Sequence, residues 1–207
     1  MSIEHLVTTY GYGAVFLLVA AESLGIPLPG ETILIAAGTY AGSTHRLSIV
    51  LVFLVATVAA ILGDNIGYVI GLKGGYRLLL RYGPKVRLDE TKVKVGRLIF
   101  DRHGPKVVFF GRFVSILRTY AAFLAGTNRM AWRRFLPYNA LGGVVWAALY
   151  AFGAYAAGST ITKVSGPVAI ALGVAAVIAV VAGILVVRRH TGRLSAEAEA
   201  AYPGPLT

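Results

Sequence analysis

Residues 107–120 read VVFFGRFVSILRTY, an apolar stretch that carries two arginines, Arg112 and Arg118, six positions apart. A charged side chain at the centre of a bilayer costs about 2.5–3.5 kcal/mol on insertion scales, so it is retained where a cavity, a carboxylate or an anionic ligand compensates it. Other apolar stretches of the chain contain three acids, Glu22, Glu31 and Asp64. The pattern predicts a membrane protein of several passes with a buried ionic site.

The composition supports a membrane protein. Of the 207 residues 57% are hydrophobic and 14% are charged, and the mean hydropathy is +0.71. A soluble domain of this length needs more polar surface. The net charge is +11, but ten of the twenty Lys and Arg residues lie between Lys73 and Lys106. Such a cluster is typical of a cytoplasmic loop beside anionic lipid, so we expect no nucleic-acid partner.

A helix breaker divides the first apolar region, residues 14–42. Pro27 and Pro29 lie between Gly25 and Gly30, and two prolines so placed interrupt a helix. Each flank is about 20 Å long as a helix, whereas the hydrocarbon core is about 30 Å thick. We therefore predict a re-entrant hairpin whose tip lies between Glu22 and Glu31.

The rest of the chain divides by hydropathy and charge. One domain, residues 1–193, is predicted to contain, after the first hairpin, the following segments: a span at 47–72, a cytoplasmic amphipathic region at 73–103, a second re-entrant hairpin at 104–127, and spans at 135–158 and 166–187. The amphipathic region has Val95 and Leu98 on one side and Lys94 on another. Residues 194–207 are predicted to be a disordered tail.

Charge bias decides the course of the second hairpin. If residues 104–127 crossed the membrane, six later arginines would lie on the face opposite the basic loop: Arg129, Arg133, Arg134, Arg188, Arg189 and Arg193. The positive-inside rule favours re-entry, which places the carboxyl terminus in the cytoplasm.

A loose internal repeat accompanies the two hairpins. Each ends in Ala-Gly, at 37–38 and 125–126, and each is followed by a span with an Asn near a Gly, at Asn65 and Asn139. Inverted repeats with broken helices are common in secondary transporters. The predicted fold is all-α: two facing re-entrant helical hairpins in an inverted repeat, three transmembrane spans and a cytoplasmic amphipathic helix.

The residue types suggest how the site works. The guanidinium of arginine donates paired hydrogen bonds to phosphate and stays charged, so Arg112 and Arg118 are predicted to bind an anionic substrate. Burial disfavours an ionised carboxylate and nearby arginines favour it, which suits Glu22, Glu31 and Asp64 to exchange protons. An alternative is a structural network that only holds the hairpins together.

The stretch from Arg112 onward resembles the DedA family, also called the VTT or SNARE-associated-Golgi-like family. The matching elements, in order and at spacing, are Arg112-Phe113, Arg118-Thr119, Ala125-Gly126, Met130, Phe135, Asn139, Gly142 and Trp146. Upstream, Glu22 with Pro29-Gly30-Glu31 is similar to the family's first hairpin. The family usually has proline between the two arginines, where this chain has Ser115.

The resemblance implies two facing re-entrant hairpins and lipid translocation. It implies a flippase in the bacterial inner membrane that recycles undecaprenyl phosphate, with proton coupling, and it ties Glu22, Glu31, Arg112 and Arg118 to function. To these we add four supporting residues: Asn65, Ser115, Thr119 and Asn139. We expect an anionic lipid as partner, no cofactor or metal and no enzymatic activity, while a homo-oligomer remains open.

Two other functions compete with this interpretation. A non-selective phospholipid scramblase would use a groove rather than a coupled site. An enzyme acting on a lipid phosphate would need a metal cluster or a nucleophile paired with a histidine. The four histidines lie in flanks or loops, at His5, His45, His103 and His190, so the sequence disfavours the enzyme.

Overall fold

The computed structural model describes residues 3–26, 28–82, 90–113, 115–161 and 194–204, and these residues form helices joined by turns. The helices are α1 Ile3–Ser23, α2 Gly30–Thr44, α3 Ile49–Tyr82, α4 Glu90–His103, α5 Lys106–Gly111, α6 Ser115–Thr127, α7 Trp132–Ile161 and α8 194–201. The all-α class is confirmed. The predicted span at 166–187 lies outside the described residues.

Two of the described helices are long and apolar enough to cross a membrane, Ile49–Gly75 within α3 and Trp132–Ser159 within α7. They agree with the predicted spans at 47–72 and 135–158. Large apolar side chains remain exposed along α3: Val50, Leu51, Leu54, Val58, Leu62, Ile66, Val69, Ile70 and Leu72. A contiguous apolar band of this extent is typical of a surface that contacts lipid. α3 continues beyond its predicted end, past a non-helical Gly75 at φ +55°, to Tyr82.

The predicted break in the first apolar region is present. α1 ends at a left-handed Gly25 (φ +108°), where the backbone N–H of Ile26 donates to the carbonyl of Ala21 at 3.1 Å. This bond is part of the Schellman arrangement that glycine favours at a helix end. α1 begins at Ile3 rather than near residue 14, because no proline interrupts residues 3–23. At about 1.5 Å per residue, α1 is longer than the predicted arm.

The second hairpin also breaks between its arginines. α5 ends at Gly111. Two backbone hydrogen bonds to the third preceding residue, as in a 3₁₀ turn, close the helix: Arg112 N–H donates to Phe109 O at 3.4 Å, and Phe113 N–H donates to Phe110 O at 3.1 Å. α6 then begins at Ser115. The break therefore forms with Ser115 in place of the usual proline. α5 is about 9 Å long and α6 about 20 Å, so neither alone crosses a core about 30 Å thick.

The two hairpins exchange partners. The second arm of the first hairpin, α2, packs on α7, and the second arm of the second hairpin, α6, packs on α3. Both contacts use the Gly of an Ala-Gly pair: Gly38 faces the backbone of Ala151, and Gly126 faces the backbone of Tyr68. Each arm thus packs on the span that follows the other hairpin, which is the arrangement expected of a two-fold repeat.

The amphipathic helix and the tail differ from expectation. α4 buries Leu98 as predicted, but Lys94 is also buried, at 3% exposed, and its Nζ lies 2.7 Å from Glu199 Oε1. The predicted disorder of the tail was wrong for residues 194–201, which form α8 with Ala198 fully buried. The tail is ordered because its acids pair with the basic face of α4.

Candidate functional site

Arg112 lies at the end of α5 with its charge fully compensated. The residue is 5% exposed. Its guanidinium forms an ion pair with the equally buried Asp64 of α3 and donates from Nη2 to Asn139 Oδ1 of α7 at 2.7 Å. Asn139 Nδ2 in turn donates to the carbonyl of Ile61 at 3.5 Å. Two helices, α3 and α7, thereby hold one guanidinium, which makes it a rigid attachment for the second hairpin.

Arg118 has two carboxylate partners. Arg118 lies on α6, six residues after Arg112. It forms an ion pair with Glu22 at the end of α1 and donates from Nη1 to Glu31 Oε1 of α2 at 2.8 Å. The side chain of Glu31 is 35% exposed, compared with 7% for that of Asp64. The Arg118 cluster is therefore the more accessible half of the site.

The tip of the first hairpin is shaped to bring both glutamates to Arg118. A Cβ at Gly30 would displace the Glu22 carboxylate, so glycine leaves room for that carboxylate at the hairpin tip. The backbone N–H of Glu31, in the first turn of α2, also interacts with Glu22. The amino-terminal end of a helix carries partial positive charge. This backbone bond and the ion pair with Arg118 offset part of the cost of burying the Glu22 carboxylate.

Two aromatic residues of α7 complete the Arg118 cluster. The Cζ of Arg118 lies 5.0 Å from the ring centroid of Trp146, within the range of a cation–π interaction. The ring of Tyr150 lies 5.3 Å from that of Trp146, and its hydroxyl donates to Glu31. Neither Trp146 nor Tyr150 was among the site residues predicted from the sequence.

A periodic signal could have identified both aromatic residues. Asn139, Gly143, Trp146 and Tyr150 recur at intervals of four, three and four residues. This spacing places side chains on one face of a helix. The face of α7 marked by the predicted Asn139 is therefore the face that meets both arginines.

Two buried polar atoms have no hydrogen-bond partner in the part of the chain that the structure describes, Trp146 Nε1 and Thr57 Oγ1. A buried donor or acceptor without a partner costs about 1–3 kcal/mol. Trp146 is only 2% exposed, so bulk water does not compensate its N–H. An unpaired donor therefore lies beside the Arg118 guanidinium.

The predicted supporting residues divide. Asn139 contacts Arg112, as described above. Asn65 shares an acceptor with Asn139: its Nδ2 donates to the same carbonyl of Ile61 at 2.8 Å, and its Oδ1 accepts from Trp132 Nε1 at 2.9 Å. The side chains of Ser115 and Thr119 lie outside the described residues.

The five predicted ionic residues form two neighbouring clusters, with Asp64 on Arg112 and the two glutamates on Arg118.

The charges decide what the site can do. If all five ionic groups are charged, three carboxylates exceed two guanidiniums by one negative charge. An anion can therefore bind only if it displaces a carboxylate or if a carboxylate takes up a proton. Among the described residues, no three His, Asp or Glu side chains are grouped to hold a metal ion.

Comparisons with known proteins identify relatives along nearly the whole chain. Residues 28–156 match the VTT domain. An uncharacterised membrane protein of Synechocystis is 43% identical over 78% of this chain and 73% of its own length. An uncharacterised membrane protein of Mycobacterium tuberculosis is 37% identical over 98% and 96%. Protein DedA of Escherichia coli is 31% identical over 91% and 88%. No solved structure matches the chain.

Proposed function

Because the chain belongs to the VTT-domain family of membrane proteins that includes protein DedA, we propose that it transports an anionic lipid, and that the head group carries a phosphate. The observation that supports this proposal is the double carboxylate clamp on Arg118. A guanidinium held by two acids inside an apolar protein is a preformed anion site occupied by the protein's own side chains.

The two arginines have different tasks in this proposal. Arg112 is buried with Asp64 and Asn139 and positions the second hairpin. Arg118 receives the phosphate, since the more exposed Glu31 can be displaced from it. Arginine suits this exchange because its planar fork binds a carboxylate and a phosphate with the same geometry.

Proton uptake follows from the displacement. When phosphate takes the place of Glu31, the carboxylate loses its cation and remains in a site of low dielectric constant. The ionised form is then disfavoured, and the carboxylate takes up a proton. One proton would thus accompany each phosphate that enters, and it would leave when Glu31 returns to Arg118.

The substrate in this proposal is a polyprenyl phosphate, with undecaprenyl phosphate as the candidate that the family resemblance suggests. The membrane is the bacterial inner membrane, with the carboxyl terminus in the cytoplasm, as the distribution of arginines predicts. Transport requires no bond to be broken in the lipid, so the proposal assigns binding and proton exchange to the site and no catalysis.

Translocation in proteoliposomes tests the proposal. The fraction of fluorescent polyprenyl phosphate in the outer leaflet is followed over time, with fluorescent phosphatidylcholine as comparison. We expect movement of the phosphate lipid alone, and its loss in a folded Arg118→Gln protein. Equal movement of both lipids, unchanged by Arg118→Gln, would contradict the proposal and favour a scramblase.

A further inference from the structure

The Arg118 cluster contains a buried hydrogen-bond donor that has no acceptor in the described part of the chain. Arg118 and the hydroxyl of Tyr150 donate to the two glutamates, as does the backbone of the α2 first turn. Trp146 Nε1–H, whose ring lies beside the same guanidinium, has no acceptor among the described residues. The cluster therefore has more donors than its resident carboxylates satisfy.

Thr57, at about the same depth, does not supply the missing acceptor. α3 and α7 run antiparallel, since Asn139 meets Ile61 while Phe152 meets Phe53 with ring centroids 5.4 Å apart. This register places Trp146 near the level of Thr57. Thr57 Oγ1 is the second buried polar atom without a partner in the described part of the chain.

The shape of a phosphate accounts for the unused donor. A carboxylate has two oxygens, whereas the phosphate of a monoester has three non-bridging oxygens. If the phosphate replaces Glu31 on Arg118, two of its oxygens can meet the guanidinium fork and one remains. The ring of Trp146 lies beside Arg118 and contacts the ring of Tyr150.

We propose that Trp146 donates its indole N–H to a non-bridging oxygen of the phosphate head group bound at Arg118, and that this bond selects phosphate over carboxylate and uncharged head groups. The inference rests on the proposed function, because it concerns the same site. It adds a substrate-binding residue on α7 to the glutamates and the arginine that the two hairpins supply.

The indole proton reports on this bond directly. The chain has two tryptophans, so the Trp132→Phe protein, labelled with ¹⁵N, gives a single indole resonance from Trp146. We expect undecaprenyl phosphate to shift the proton of this resonance downfield, as a bond to an anionic oxygen does, and undecaprenol to leave it in place. A resonance that undecaprenyl phosphate does not move would overturn the inference, including the case in which a water molecule already satisfies the N–H.

A pair of matched variants tests selectivity. Trp146→Phe keeps an aromatic ring beside Arg118 and removes the N–H. Trp132→Phe removes an indole whose N–H already has Asn65 as acceptor. We expect Trp146→Phe to weaken binding of undecaprenyl phosphate about tenfold, which corresponds to about 1.4 kcal/mol, and to leave binding of oleate, whose head group is a carboxylate, unchanged. Trp132→Phe should bind both lipids as the unmodified protein does.

The same titrations separate the inference from the proposed function. If Arg118→Gln abolishes binding while Trp146→Phe binds like Trp132→Phe, phosphate binds at Arg118 without the indole, and only the inference fails. If neither Arg118→Gln nor Trp146→Phe changes binding, the phosphate lies elsewhere and both fail.

Discussion

At the scale of single residues, the two arginines differ in how tightly their partners enclose them. Arg112 and Asp64 are each 5% exposed, so removing one partner leaves a buried charge. Breaking a buried ion pair in this way costs about 3–5 kcal/mol. Glu31 is more exposed, so its exchange for another anion requires less rearrangement.

We expect Asp64→Asn to lower the free energy of unfolding by about 3–5 kcal/mol, because it leaves the Arg112 guanidinium without its carboxylate. Unfolding in mixed micelles with rising denaturing detergent measures the effect. The control is Asn65→Ala at the neighbouring position, which removes a partly exposed amide and should cost about 1 kcal/mol. Similar losses in the two variants would show that Arg112 does not depend on Asp64.

Glu31→Gln should flatten the pH dependence of transport, because an amide can leave Arg118 but cannot carry a proton. Initial rates of translocation, measured in buffers about one pH unit apart between pH 5 and pH 8, show this change. The control is Glu90→Gln on α4, which removes a carboxylate outside the site. A Glu31→Gln protein with the pH profile of the control would exclude Glu31 as the proton carrier.

The residues of the site were largely predictable, since charge inside apolar sequence is itself the signal. Which acid meets which arginine was not predictable, because the pairing depends on the packing of five helices. The aromatic partners were missed for another reason: a Trp and a Tyr are ordinary residues for a membrane helix, and the family resemblance marked Trp146 without giving it a role.

At the scale of helices, close contact between backbones joins each hairpin to the opposite span. Gly126 of α6 lies against the backbone of Tyr68 and Leu72 on α3, with 2.7 Å between a Cβ built at Gly126 and the N of Leu72. A backbone cannot move aside as a side chain can, so any larger residue separates the helices.

We expect Gly126→Ala to lower the free energy of unfolding by about 1–3 kcal/mol, the usual range for overpacking. Gly153→Ala on α7 is the matched control, since a Cβ there meets nothing within 4 Å. Alanine is also the better helix former, so the control should be neutral or slightly stabilising. Detergent unfolding of both proteins measures the difference, and equal stabilities would contradict the close contact of α6 with α3.

The tail helix α8 is held to α4 by charge. Glu199 pairs with Lys94 and Glu197 with Arg102, each at 2.7 Å, and the Tyr202 hydroxyl donates to Asp101. Burial, and then the hydrogen bond to Asp101, raises the pKa of Tyr202. The phenol therefore keeps its proton at neutral pH, and its contribution is lost only as the pH rises through this raised pKa.

Reversing both tail charges, with Glu197→Lys and Glu199→Lys, should release α8 from α4, since two attractions become repulsions. Hydrogen exchange of residues 194–201 measures the release, and we expect protection to fall to that of an isolated peptide. The control is Glu197→Gln with Glu199→Gln, which removes the attractions only and should give an intermediate loss. Undiminished protection in the Lys variant would show that α8 does not depend on these pairs.

Helix boundaries show where sequence reasoning ends. The breaks at Pro27 and Pro29 were predictable from proline chemistry. The order in residues 194–201 was not, because so short a helix is marginal in isolation and its ion pairs with α4 join residues far apart along the chain. The burial of Lys94 was not predictable either, because it depends on Glu199, which lies far along the chain.

At the scale of the whole molecule, the exchange of partners between hairpins and spans accounts for the position of the site. α2 packs on α7 and α6 packs on α3, so the tips of both hairpins meet at the centre, each bringing its charged residues. The repeat was visible in the sequence only as Ala-Gly pairs, because the physical requirement is close contact rather than a particular side chain.

The predicted re-entry of the second hairpin has a direct test in labelling from one side of the membrane. The chain has no cysteine, so single cysteines are unambiguous. We expect His103→Cys and Ala131→Cys, at the two ends of the hairpin, to react from the cytoplasmic side, and Thr44→Cys to react from the opposite side. Labelling of His103→Cys and Ala131→Cys from opposite sides would show that the segment crosses the membrane.

The most direct test of the central claim, that a phosphate head group binds at Arg118, is native mass spectrometry of the purified protein in detergent. Undecaprenyl phosphate is compared with phosphatidylglycerol and undecaprenol, for the unmodified protein and for folded Arg118→Ala. The account predicts selective binding of undecaprenyl phosphate that disappears in Arg118→Ala. Equal binding of all three lipids, unaffected by Arg118→Ala, would contradict it and leave the arginine a purely structural role.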